Sequence, residues 1–118
     1  MANVNGLKPS EAMRIGIKKT RPMTGGLYSK GEHQGHPLAC ALGAMGVGYG
    51  ISRDKMANDE GIYGKFPQLQ KLVVHPADEV FEGETPDKDA VEVIIVSLND
   101  DHGWHRGRIA NWLRKIGL

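Results

Sequence analysis

The stretch HPLACALGAMGVGYG, residues 36–50, decides the fold. Its side chains are apolar or very small all round, the pattern of a helix enclosed by protein rather than one lying on a surface. Pro37 suits a first helical position, where its missing N–H costs nothing. Leu38, Leu42, Met45 and Tyr49 then recur at intervals of four, three and four. The other side carries Ala39, Cys40, Gly43, Ala44 and Gly46, so a neighbouring backbone has room to approach. Glycine inside a helix costs about 1 kcal/mol relative to alanine, so Gly43 and Gly46 imply close packing or an early stop. The alternation of Gly46, Gly48 and Gly50 predicts fraying or a turn from Gly46 onward. The expectation is a central helix over 37–46. A membrane span needs roughly 20 apolar residues, and this run is shorter.

Composition bounds the rest. A chain of 118 residues has room for one domain, here 1–118 with an untethered 1–6, and a modest core. With 40% hydrophobic but only 6% aromatic residues, packing falls to aliphatic and small side chains. Met1 to Lys8 lacks a basic stretch leading into an apolar one, so no leader is expected. A single cysteine excludes an internal disulfide and fits a reducing, cytoplasmic setting. The net charge of +1 hides segregation: residues 1–55 carry eight Lys/Arg against three Asp/Glu, 56–101 three against eleven, and 102–118 four against none. Such blocks either neutralise one another in the fold or present separate patches to a partner.

Around the central stretch, LKPSEAMRIGIKKTRP predicts a helix over 10–20, with Ser10 as N-cap, Glu11 in the first turn and Lys18 and Lys19 near the end. Met13 and Ile17, with Gly16 beside them, form its buried face. Residues 22–36 read as a loop or short hairpin, and 51–64 as polar and exposed with at most one helical turn around Asp54 to Ala57. FPQLQKLV, 66–73, starts a short helix at Pro67, and 77–84 is an acidic loop. TPDKDAVEVIIVSLND opens like a helix at Thr85 and Pro86, although its β-branched residues favour strand. The spacing of Val91, Ile94, Ile95 and Leu98 decides for a helix over 86–98. Ile109, Trp112, Leu113 and Ile116 repeat that spacing and predict an amphipathic helix over 105–116.

SEAMRIG, CALGA, FPQL, and LND followed by GW and RIANWL together resemble a group of small bacterial and phage-associated proteins of unknown function. The resemblance runs in order through most of the chain and implies an architecture rather than an activity. In the resembling proteins the last helix begins with a capping box, Ser or Thr with Glu or Gln three residues on. Here His105 and Arg108 hold those positions, with Arg106 and Gly107 between. Cations in a first turn oppose the helix dipole. They are either neutralised by Asp100, Asp101 or the acidic segment 78–92, or they serve a site. That site would be an anion- or partner-binding one made by His102, His105, Arg106 and Arg108 with the helix-start N–H groups.

Three other constellations compete. His33, His36 and Cys40 with His102 and His105 have donors suited to zinc, but their spacing matches no finger, and a small apolar cysteine with histidines on exposed turns explains them. Cys40 at a helix N-terminus, with His75 and Asn99 or Asp100, has the order of a cysteine enzyme. For Asn99 and Asp100 a turn-holding role explains the same residues. The two last helices, joined by NDDHGW, outline a helix-turn-helix, yet the turn is long and the second helix uses one face for packing.

The resulting expectation is an all-α bundle of four or five helices with a C-terminal αα-hairpin. Its expected function is that of a non-enzymatic accessory or protein-interaction subunit. Neither a cofactor nor a membrane contact is expected; a protein partner or self-association is, with a location in the cytoplasm or within a phage particle or other assembly. Nucleic-acid binding is the alternative, and a zinc-binding or cysteine-dependent enzyme the further one.

Overall fold

The computed structural model describes residues 7–23, 28–33, 36–52, 55, 61–74 and 88–118, with 28–33 and 36 by their backbone alone. The chain is mainly helical, with two small sheets that correct the expectation of a purely helical bundle. Helix α1 (Pro9–Lys19) starts one residue earlier than expected. Pro9 takes the first turn, where no N–H is missed, and the Lys8 N–H is satisfied by Glu11 Oε1 at 2.9 Å. Ser10 is buried instead of capping, its hydroxyl donating to the Leu118 carbonyl at 3.1 Å.

Where a loop or hairpin is expected over 22–36 and helix from Pro37, three strands, β1 (Arg21–Pro22), β2 (Tyr28–His33) and β3 (His36–Ala39), form a sheet in the order β1-β3-β2. Strands β2 and β3 form the hairpin, and β1 runs parallel to β3 through Arg21↔Leu38 and Pro22↔Ala39. The central helix therefore begins later than Pro37: α2 spans Ala41–Tyr49. Proline disfavours helix in the residue before it, and β3 gives the backbone of 36–39 its partners. Cys40 becomes the N-cap, its Sγ accepting the Gly43 N–H at 3.4 Å. Nor does the helix fray at Gly46. It continues to Tyr49 and closes on Gly50 at φ +95°, whose N–H donates to the Gly46 and Val47 carbonyls, a conformation glycine adopts without strain.

Two one-turn helices follow, α3 (Ile62–Lys65) and α4 (Gln68–Lys71). Ile62, in the segment expected to be exposed, is fully buried; the expected turn at Asp54 to Ala57 falls largely outside the described residues. Val73–Val74 (β4) pairs antiparallel with Asp89–Ala90 (β5). This ladder replaces the first part of the helix expected over 86–98. Helix α5 is Val91–Asp100 and buries Val91, Ile94, Ile95 and Leu98, the four positions its period singled out. The cap expected at Thr85 and Pro86 lies outside the described residues, as do 1–6 and the acidic run 77–84. Helix α6 (Arg106–Lys115) buries Ile109, Trp112 and Leu113.

Helices α1, α2, α5 and α6 touch in a closed cycle, so one apolar core lies between them, with Phe66 and Leu69 at its side. The α1–α2 contact uses glycine on both sides. A Cβ on Gly16 would lie 1.6 Å from the Ala44 carbonyl oxygen, and one on Gly48 would lie 1.7 Å from that of Ala12. The pairings Gly16 with Ala44 and Ala12 with Gly48 make the two helices antiparallel. On its other flank α1 runs antiparallel to α6, through Ser10 to Leu118, Arg14 to Asn111 and Thr20 to Arg106.

Candidate anion-binding face

Arg106 occupies the first position of α6, where its charge opposes the helix dipole, but its side chain leaves that position. It is only 7% exposed and reaches the C-terminal end of α1. Nη1 donates to Thr20 Oγ1 at 2.6 Å and to the Ala39 carbonyl at 3.3 Å, and Nη2 donates to the Thr20 carbonyl at 3.0 Å. Thr20 Oγ1 in turn donates to the Gly16 carbonyl at 2.8 Å. All these acceptors are neutral, so the compensating charge is the negative end of the α1 dipole. Burial pushes the guanidinium below its ordinary pKa, yet arginine stays protonated at neutral pH. Arg106 is thus partnered by another helix, not by Asp100 or Asp101.

The other residues expected to bind an anion separate around Trp104. That indole is fixed where the chain leaves α5, its N–H of the main chain donating to the Leu98 carbonyl at 2.9 Å. On one side lies a cleft of about 460 Å³ bordered by Asn99, His105, Arg106 and the apolar Ile17 and Met23. On the other lies a second cleft of about 460 Å³, lined by Trp104, Arg108, Asn111, Trp112, Arg114 and Lys115. The Arg108 guanidinium carbon sits 3.7 Å from the Trp104 ring centroid, a stacked cation–π contact. His102 is exposed on the turn and borders neither cleft.

The second cleft borders the ground between α6 and α1 through Asn111 and Arg114. Arg14 donates to the Asn111 side-chain oxygen, and Arg114 also borders a smaller cleft of about 400 Å³ with Lys8, Ser10, Glu11 and Arg14. Lys18 is one turn beyond Arg14. Lys8, Arg14, Lys18, Arg108, Arg114 and Lys115 are all exposed, forming a basic seam along two antiparallel helices; Glu11 is the acid within it. Sequence reading missed Arg14, Trp104, Asn111, Arg114 and Lys115. Their signal was available in part: Arg108, Asn111 and Lys115 recur at helical spacing opposite the apolar stripe. The pairing with α1 was not available.

Asn99 and Cys40 belong to the frame behind this face. Asn99 is buried at the end of α5; Oδ1 accepts the Ala41 N–H at 3.1 Å, and Nδ2 donates to the Met23 carbonyl at 3.0 Å and to Asp100 Oδ1 at 2.6 Å. It caps α2 and ties down the end of β1, rather than turning the chain between α5 and α6. Asn99→Ala is expected to lower stability by about 2 kcal/mol, the cost of a lost cap and a part-buried carbonyl left without this donor. Asn99→Asp should not restore it, because a carboxylate cannot donate to Met23; urea denaturation of both variants measures this.

Cys40 lies at a helix start, the place expected to favour a thiolate. Burial outweighs the Gly43 N–H and pushes the thiol up. Burial and Glu92 likewise raise Tyr63. A folded-state pKa above the unfolded one gives stability that is complete below the unfolded pKa and lost as pH rises toward the folded one. Stability should therefore fall above about pH 8.5, where an unfolded thiol ionises, with Tyr63 adding above about pH 10. In Cys40→Ala the first part of that decline should disappear in denaturation curves taken across this range. Aromatic-disulfide reagents should label native Cys40 at least roughly tenfold more slowly than the urea-unfolded chain.

His33 and His36 pair in register at the hairpin end, while His102 and His105 lie on the exposed turn before α6. Among the described residues no three His, Cys, Asp or Glu come together to hold a metal. His75 of the cysteine-enzyme reading lies outside the described residues. Among the described residues, no helix is long and apolar enough to cross a membrane. Scans against protein-family models, curated proteins and solved structures return no match for this chain.

Proposed function

We propose that this chain is a non-enzymatic binding module, an accessory subunit that joins a larger bacterial or phage assembly by engaging an anionic partner through the α1–α6 face. The observation that carries this reading is the seam itself. Six exposed Lys/Arg line two helices whose register is held by Arg14 and Asn111, with Trp104 and Arg108 stacked at one end. Charge gathered this way raises the local concentration of an oppositely charged partner. Arg106, by contrast, is bound internally to the end of α1 and takes no part in the seam. Arg108→Glu with Arg114→Glu reverses the seam at opposite ends of α6, so the two dipole effects offset each other.

Native mass spectrometry of protein purified from its source without chelator tests the reading. The expected result is a complex of defined stoichiometry that dissociates as salt is raised and is absent for the double charge reversal. A bare chain mass from the unmodified protein, or a complex indifferent to the reversal, would overturn it.

A further inference from the structure

We infer that the anionic partner of the α1–α6 seam is a single-stranded nucleic acid, its backbone running along Arg14, Arg108, Arg114 and Lys115 and a base stacking at Trp104. The inference rests on the reading of this face as a binding surface and names its occupant. Two features in one place carry it: a line of cations and a flat aromatic at its end.

The dimensions suit a strand. Ten residues of α6 span about 15 Å at about 1.5 Å per residue, and nucleotides rise about 3.4 Å per strand when stacked. The seam therefore accommodates about four nucleotides. Arg14 crosses from α1 to Asn111 on α6, which keeps the two rows of charge together. Non-specific single-strand binders combine such a groove with aromatic rings on which bases stack.

Trp104 supplies the second element. It borders both clefts, and Arg108 lies over its ring at 3.7 Å. A guanidinium plane and an indole face are both surfaces on which an unpaired base stacks. A duplex offers no base face, so the arrangement favours a single strand over double-stranded DNA. It also differs from helix-turn-helix docking, in which the start of the second helix enters the groove. Here the first side chain of α6, Arg106, is buried against α1. An acidic peptide would match the charge but leave the stacked guanidinium and indole without a role.

The test is fluorescence anisotropy of a labelled oligothymidylate of about twelve nucleotides with the full chain, together with tryptophan emission. With the four named cations engaged, the logarithm of affinity should fall with the logarithm of salt at a slope of about −3. Binding should also quench tryptophan emission. Arg108→Glu with Arg114→Glu should weaken binding at least roughly tenfold, whereas Lys71→Glu, a reversal on α4, should leave it unchanged. Trp104→Phe should keep the salt slope and lose most of the quenching, which assigns the stack to Trp104 rather than to the buried Trp112.

Polyglutamate, the second probe, separates the possible failures. If it binds as tightly as the oligonucleotide and the reversal abolishes both, the nucleic-acid inference is overturned while the anionic-partner reading stands. If neither probe binds at about 50 mM salt, both fall. Oligonucleotide binding that is indifferent to the reversal overturns the placement on this seam.

Discussion

Gly16→Ala is expected to cost about 3 kcal/mol or more of folding stability, the upper end of what overpacking does. Ordinarily this substitution in a helix gains about 1 kcal/mol from propensity. At Gly16 the added methyl would lie 1.6 Å from the Ala44 carbonyl oxygen, far inside contact distance. That atom is backbone, so the clash is not relieved by rotating a side chain; α1 and α2 must move apart. The contact at Gly48 against Ala12 is of the same kind, so the helices have little freedom to slide. Thermal and urea denaturation of Gly16→Ala and of Gly16→Ala with Ala44→Gly form the decisive pair. The second change removes a methyl but not the carbonyl, and no rescue is expected. Wild-type stability in the single variant would show that the helices do not meet at these glycines.

Arg106→Ala is expected to cost about 3 kcal/mol, the scale for removing one member of a buried charge-assisted network. Three bonds are lost at once, and the Thr20 and Ala39 carbonyls are left beneath α6 without their donor. The end of α1 also loses the cation that faces its dipole. Arg106→Lys should recover little of this, because an ammonium on a flexible stem does not reproduce the planar fork that reaches both residues. Arg106→Met keeps most of the volume and should fall between alanine and wild type. If methionine equals or exceeds wild type in urea denaturation, the network contributes no net stability and desolvation of the charge has cancelled its bonds. Because Arg106 points inward, the folded fraction of each variant should bind oligothymidylate as the wild type does, which separates the frame from the face.

How far the sequence could be read depended on how locally each decision is made. Helices α5 and α6 were legible because their apolar residues repeat at helical spacing, and all four α5 positions are buried. The start of α2 was misplaced because an apolar run beginning with proline fits a first helical turn as well as a strand. What decides between them is pairing with β1 and β2 and a cap from Asn99, whose acceptor bond to Ala41 spans 58 positions. The candidate face was half legible. The arginines after Trp104 are legible as unusual, but Arg106 and Arg108 go opposite ways, one into the α1 end and one onto the indole. Nothing within one turn of sequence distinguishes them, because their partners are set by which helix lies alongside. The segregated charge likewise showed that basic segments exist, not that α1 and α6 would align them into one seam.

The clasp between α1 and α6 also sets an order of assembly. Its bonds join residues 86, 97 and 108 positions apart, whereas Gly16 meets Ala44 across a far shorter loop. Helical proteins owe their fast folding to local contacts, and this clasp joins widely separated parts of the chain. During synthesis α1 and α2 emerge first and are able to dock while α6 is still unmade. Until it arrives, the Thr20 carbonyl at the end of α1, which will receive Arg106, lacks that donor, and the apolar core lacks Ile109, Trp112 and Leu113. Exposed apolar surface of that kind is what chaperones hold during synthesis. The contact order of the fold thus makes α6 a latch, closing over a pair of helices whose own contact is more local.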